Sequence, residues 1–82
     1  MGLFDQFLGS SDPLIQQAAS LLNDATNQYK AGSLTKDEYN ELCGNILDFN
    51  QISATITDMS RKQEIWDAFQ AMMNIVEAAT SL

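Results

Sequence analysis

A turn between two helices, near the middle of the chain, constrains the fold more than any other feature of the sequence. Residues 29–39 read YKAGSLTKDEY. Gly32 can adopt a positive φ without a Cβ clash, so it is a good residue to end the first helix. Thr35 and Glu38 have the spacing of a capping box that starts the second helix, and Leu34 can pack against Tyr39. The sequence therefore predicts a helical hairpin at this point.

The two helices of the hairpin have clear boundaries and apolar faces. Asp12 is a good N-cap residue and Pro13 suits the first helical position, so the first helix should run from there to the turn at Gly32. Its apolar residues recur at helical spacing: Leu14, Ala18, Leu21, Leu22, Ala25 and Tyr29. The second helix follows Thr35 and has its own apolar face: Tyr39, Leu42, Cys43, Ile46 and Leu47.

The apolar pattern in the last third of the chain predicts a long third helix. After a joint at residues 49–51, apolar residues form one broad stripe: Ile52, Ile56, Met59, Ile65, Trp66, Phe69, Met72, Met73 and Val76. One continuous helix from about residue 51 to 79 is the favoured interpretation, with a soft or bent segment between Asp58 and Ser60. The alternative is a new helix that begins at Ser60, because Ser60 and Gln63 have capping-box spacing and residues 55–57 are β-branched.

The N-terminal segment, residues 1–11, is predicted to be a docking segment attached to a three-helix domain, residues 12–82. Leu3, Phe4, Phe7 and Leu8 share one helical face, and residues 9–11 form a flexible Gly-Ser joint. The alternative is that this segment folds back onto its own domain. The predicted fold class is all-α: a helical hairpin, a long third helix and a short N-terminal amphipathic helical turn.

Composition disfavours several classes of function. The chain of 82 residues has 11 acidic and 4 basic residues, no His and one Cys. A net charge of −7 disfavours nucleic-acid binding, and the lack of His removes the commonest general base and metal ligand. Cys43 lies on an apolar face, so it is predicted to be buried. We therefore expect no enzyme, cofactor, metal site or membrane span, and no signal peptide for secretion.

Two surfaces are candidates for binding a protein partner. The first combines the N-terminal segment with the stripe of the third helix: Leu3, Phe4, Phe7, Leu8, Trp66, Phe69, Met72, Met73 and Val76. Met and Trp suit interfaces, and the working hypothesis places the core near residues 56–66 and the interface near residues 72–76. The alternative is that the stripe is simply core. The second surface is an acidic ridge on the second helix: Asp37, Glu41 and Asp48.

Two segments of the chain resemble known protein families. The opening Met1-Gly2-Leu3-Phe4-Asp5 and its Gly-Ser joint resemble the start of many small virion and tail-associated proteins of tailed bacteriophages. Residues 28–39, followed by Leu42 and Ile46, resemble the short C-terminal domain type of helical hairpin. The resemblance implies an attachment or oligomerisation module.

The preferred hypothesis is therefore a non-enzymatic structural or accessory component of a phage-like particle, located in the virion or the host cytoplasm. Many copies would pack through the third helix, while the N-terminal segment docks onto a neighbour. The alternative hypothesis is a small acidic regulator or inhibitor. Its acidic ridge would occupy a basic surface of a host or nucleic-acid-binding protein.

Overall fold

The computed structural model describes residues 2–81, and this part of the chain is all-α, as predicted. The N-terminal segment was predicted to begin at residue 1 and the three-helix domain to end at residue 82, and these two residues lie outside the described residues. No β-strand occurs within residues 2–81. The helices of this part are α1 (Asp5–Leu8), α2 (Pro13–Lys30), α3 (Lys36–Ile46), α4 (Phe49–Ser53) and α5 (Met59–Thr80).

The predicted hairpin turn between α2 and α3 is confirmed in detail. Gly32 has a φ of 82°, in the left-handed region. The Gly32 N–H donates to the Tyr29 carbonyl at 3.1 Å and the Ser33 N–H to the Gln28 carbonyl at 2.9 Å, which is the Schellman arrangement. Thr35 and Glu38 form both hydrogen bonds of the capping box, at 3.1 and 2.9 Å. All of these hydrogen bonds lie within residues 28–38, so the local sequence is sufficient to predict the reversal of the chain.

The predicted start of α2 is confirmed, but its buried face is rotated relative to the prediction. The Asp12 carboxylate accepts the Leu14 N–H at 3.0 Å, and Pro13 occupies the first turn. Leu21, predicted to face the core, is 45% exposed. The buried residues of α2 are Ile15, Ala18, Ala19, Leu22, Ala25 and Thr26.

A long third helix is confirmed as α5, but the favoured interpretation, one continuous helix from about residue 51, is wrong. The chain forms the short helix α4 at the predicted joint, leaves helical structure after Ser53, and begins α5 at Met59. The Asp58 carboxylate accepts the N–H groups of Ser60 and Arg61 at 2.9 and 3.2 Å, so Asp58 is the N-cap. A new helix near Ser60 was the alternative prediction, but the cap lies two residues earlier and does not use Gln63.

The three longer helices run up, down and up. The turn makes α3 antiparallel to α2. Arg61, near the start of α5, binds Asp12 at the start of α2, with Nε and Oδ2 2.8 Å apart. At the other end, Lys30 of α2 and Ile75 of α5 line the same surface depression. Helix α5 is therefore parallel to α2 and antiparallel to α3.

The core lies between these three helices and is closed on one side by Phe4. The largest fully buried side chain is that of Tyr39. Its ring stacks on Tyr29, with centroids 4.7 Å apart and planes at 9°. The Thr26 hydroxyl donates to the Leu22 carbonyl at 2.7 Å, so the Tyr39 hydroxyl donates to Thr26 Oγ1, also at 2.7 Å. This buried polar pair joins α2 to α3.

Tyr39→Phe is expected to lower the free energy of unfolding by about 1 kcal/mol, because it removes one buried hydrogen bond and keeps the ring. Urea denaturation followed by circular dichroism measures this change. Tyr29→Phe is the matched control, since the Tyr29 hydroxyl makes no hydrogen bond to residues 2–81. Equal stability of the Tyr39→Phe variant and the wild type would contradict a stabilising Tyr39–Thr26 bond.

Candidate protein-interaction surface

Helix α5 carries a stripe of large apolar side chains on its solvent side. Met59 is 73% exposed, Trp66 is 43% exposed and Met73 is half-buried. These three residues are spaced by seven, which is close to two helical turns, so they lie along one line of the helix surface. We call Met59, Trp66 and Met73 the α5 stripe.

The Trp66 ring is held in place by an aromatic neighbour from α4. The Phe49 ring meets Trp66 edge-on, with centroids 5.0 Å apart and planes at 73°. Phe49 also meets Phe69 edge-on, with centroids 6.4 Å apart. Helix α4 can present Phe49 here because the Asp48 carboxylate accepts the Gln51 N–H at 3.3 Å and caps the helix. The exposed face of Trp66 is thus pre-positioned.

Two shallow grooves adjoin Trp66, one on each side. The first, which we call the Met59 groove, has a volume of about 290 Å³ and is lined by Phe49, Met59, Lys62, Gln63 and Trp66. The second, which we call the α3–α5 groove, has a volume of about 330 Å³. It is lined by Gly44, Leu47, Asp48, Phe49, Asn50, Trp66, Phe69, Gln70 and Met73. Together they form one largely apolar surface with Phe49 and Trp66 at its centre.

Three of the residues predicted to form the interface on the third helix belong to the core. Phe69, Met72 and Val76 are at most 2% exposed, so the chain itself already buries them. They share a helical face with Ile65 that is turned toward the interior. The expected division holds only in part, because Ile56 and Ile65 are buried as expected of the core. Met59 and Trp66 are exposed instead, and residues 72 and 76, expected at the interface, are core. The seven-residue spacing of the α5 stripe was the signal that could have identified Met59.

The N-terminal segment folds back onto α2, which was the alternative prediction. Phe4 is fully buried, Phe7 is half-buried, and Leu3 and Leu8 remain exposed. The Phe4 N–H donates to Asn23 Oδ1 at 3.0 Å. Phe4 is therefore a core residue and is not available for docking onto a neighbour.

Asn23 is the residue of α2 whose side chain binds the N-terminal segment, and it was not among the residues predicted to have a role. Besides accepting the Phe4 N–H, Asn23 donates through Nδ2 to Asp5 Oδ1 at 3.0 Å. Asp5 in turn accepts the Gly2 N–H at 2.9 Å. These bonds join residues 18 or more positions apart, so no local pattern predicts them.

The acidic ridge is shorter than predicted. Asp37 and Glu41 are exposed on α3, but α3 ends at Ile46, so Asp48 lies beyond it and caps α4. Asp48 cannot continue the helical line of the other two carboxylates. Instead, Asp48 lines the α3–α5 groove, where it is the one charged residue among those that the structure describes.

An ion pair between Asp12 and Arg61 connects α2 to α5. The Arg61 Nε and Nη2 atoms donate to the two Asp12 carboxylate oxygens at 2.8 and 3.1 Å. The Asp12 side chain is 6% exposed and that of Arg61 is 42% exposed. The hydrogen bonds from Arg61 lower the pKa of Asp12 despite its burial, and the same bonds raise the pKa of Arg61. The Asp12–Arg61 pair joins residues 49 positions apart, so no local pattern in the sequence predicts it.

The described residues offer few groups for chemistry. Burial raises the pKa of the Cys43 thiol, so the thiol stays protonated at neutral pH. Residues 2–81 hold no group of three or more His, Cys, Asp or Glu side chains placed to bind a metal ion. None of the helices in this range has the length and apolar character needed to cross a bilayer.

No protein-family model, curated protein or solved structure matches the chain.

Proposed function

We propose that this chain is a non-enzymatic structural or accessory protein whose copies bind one another through the α5 stripe. The observation that carries this proposal is the exposure of Met59 and Trp66, at 73% and 43%, on one face of the longest helix. Single exposed apolar residues are ordinary, but a contiguous apolar patch beside grooves is typical of a protein-binding surface. Trp and Met are also enriched at interfaces.

Met59 and Trp66 of the α5 stripe lie outside the core cluster, and Met73 is only half-buried against it, which supports an external role for the stripe. Phe69, Met72 and Val76 fill the interior from another face of α5. A standard interface covers about 800 Å² on each partner, roughly one-sixth of the 5151 Å² surface of this chain. The stripe and its two grooves would form the centre of such an interface, where desolvated aromatic anchors contribute most of the binding energy.

A role in a phage-like particle fits this mode of binding. The N-terminal and hairpin segments resemble tailed-phage virion proteins and attachment modules. In a particle many copies are held close together, so a contact that is weak between two free chains becomes strong through multivalency. We propose the virion or the host cytoplasm as the place where such assembly occurs.

Trp66→Ala is expected to weaken self-association at least about tenfold, because loss of an interface anchor typically costs about 2 kcal/mol or more. Sedimentation velocity over a concentration series, up to millimolar chain, measures the dissociation constant. Leu21→Ala is the matched control: Leu21 is 45% exposed, a fraction close to that of Trp66, but lies on α2. We expect that control to associate like the wild type.

Salt should strengthen this association. Each copy carries a net charge of −7, so two copies repel, and salt screens that repulsion. Binding of the acidic ridge to a basic partner would instead weaken with salt. A chain that remains monomeric at every concentration and salt level would contradict the proposed self-assembly.

A further inference from the structure

We infer that two copies pair through antiparallel α5 helices about a two-fold axis at Trp66, with Met59 of each copy inserted into the α3–α5 groove of the other. This inference rests on the proposed function and adds the geometry of the contact. It is carried by the positions of one protruding side chain and one groove relative to Trp66.

Met59 and Met73, which lines the far end of the α3–α5 groove, lie at equal distances from Trp66 on opposite sides. Met59 precedes Trp66 by seven residues, and Met73, which lines the groove, follows it by seven. At about 1.5 Å per residue, each lies roughly 10.5 Å from Trp66 along the helix axis. A two-fold axis that passes between the two copies at the level of Trp66 therefore brings Met59 of one copy opposite Met73 of the other. Both insertions form at once, as a self-complementary interface requires.

The groove has room for a methionine side chain. Its volume of about 330 Å³ is roughly twice that of a ~150 Å³ apolar cavity that holds benzene. Gly44 in the middle of α3 forms part of its wall, and a Cβ atom added there would meet no neighbour within 4 Å. Packing within the chain therefore does not require glycine at this position, which is unfavourable inside a helix. The missing side chain leaves space for the Met59 of a second copy.

The charges beside the stripe also favour the antiparallel arrangement. Lys62 lines the Met59 groove, and Asp48 lines the α3–α5 groove. The two-fold axis exchanges the two sides of Trp66, so Lys62 of one copy lies beside Asp48 of the other. A parallel pairing in register would place Lys62 beside Lys62, which is repulsive.

Disulfide cross-linking between copies tests the geometry without changing the α5 stripe. Gln63 and Gln70 are exposed and line the Met59 groove and the α3–α5 groove, respectively. In the inferred pairing, residue 63 of one copy is displaced by about 1.5 Å along the axis from residue 70 of the other. The corresponding displacement is about 9 Å between residue 63 of one copy and residue 63 of the other, and about 12 Å between the two copies of residue 70. A disulfide requires Cα atoms within about 7 Å.

We expect a mixture of the Gln63→Cys and Gln70→Cys variants to form, under mild oxidation, a cross-linked dimer that contains one chain of each variant. A tag on one of the variants identifies this mixed dimer. Either variant alone should cross-link much less. The wild type, whose single thiol is buried, is the background control. Efficient cross-linking of each variant with itself would overturn the antiparallel geometry. A dimer in sedimentation without the mixed cross-link would also overturn it and leave the proposed function standing, whereas a monomer throughout would overturn both.

Gly44→Leu tests the groove directly. Leu is a better helix former than Gly, and a Cβ atom at this position meets no neighbour within 4 Å, so the variant is expected to unfold at a higher temperature. The added side chain fills the α3–α5 groove and should weaken self-association about tenfold, through loss of the Met59 insertion. Unchanged or tighter association in a folded Gly44→Leu variant would overturn the assignment of Met59 to this groove.

Discussion

Phe69→Ala is expected to lower the free energy of unfolding by about 3–5 kcal/mol, the usual cost of removing a buried phenylalanine ring. Phe69 is 2% exposed and forms part of the core cluster. A chain of this length has a total stability of only about 4–12 kcal/mol, so the variant should be largely unfolded or close to it. Urea denaturation followed by far-ultraviolet circular dichroism, at concentrations where the wild type is monomeric, measures the change.

Trp66→Ala is the matched control for this experiment. Trp66 lies one turn before Phe69 on the same helix but is 43% exposed, so its truncation should cost about 1 kcal/mol of monomer stability. For self-association we expect the opposite order, in which Trp66→Ala has the larger effect, because Trp66 is the interface anchor. Equal losses of monomer stability in the two variants would mean that Trp66 acts as a core residue, contrary to the surface role assigned to the α5 stripe.

The sequence predicted the features that depend on residues close together in the chain. The Schellman turn at Gly32 and the capping box of Thr35 and Glu38 involve groups a few positions apart, so their chemistry is readable directly. The start of α2 at Asp12 is of the same kind. These caps, together with the lack of strand patterns, are sufficient to predict an all-α fold with a central hairpin.

Features that depend on distant residues could not be predicted in the same way. The stripe of nine apolar residues in the last third of the chain was too broad to show which half faces inward. That choice depends on how α5 lies against α2, and the ion pair that joins them spans 49 positions. The break before α5 could not be predicted from spacing alone, because Asp58 fits both a pairing with Lys62 inside one helix and the N-cap that it forms. Both outcomes decide which residues form the candidate surface.

Asp12→Ala is expected to lower the free energy of unfolding by about 2 kcal/mol. The carboxylate caps α2 through the Leu14 N–H, and loss of an N-cap costs about 1 kcal/mol, up to about 2. The same carboxylate accepts two hydrogen bonds from Arg61, whose exposure to solvent reduces the additional stabilisation. Asp12→Asn separates the two roles, because Asn is an equally good N-cap but carries no charge. We expect the Asp12→Asn variant to keep the stabilisation from the N-cap and to lose only the smaller stabilisation from the ion pair.

The pH dependence of stability provides a second measurement of the same ion pair. The pKa of Asp12 is lowered in the folded chain from its usual value of 3.8, chiefly by the hydrogen bonds from Arg61. The unfolded chain therefore takes up this proton more readily than the folded chain. The stabilisation is complete at neutral pH and is lost as pH falls below 3.8 through the folded pKa. Asp12→Asn cannot take up the proton, so the stability difference between it and the wild type should shrink as pH falls from 7 toward 3. A difference that stays constant over this range would show that Arg61 does not stabilise the Asp12 carboxylate.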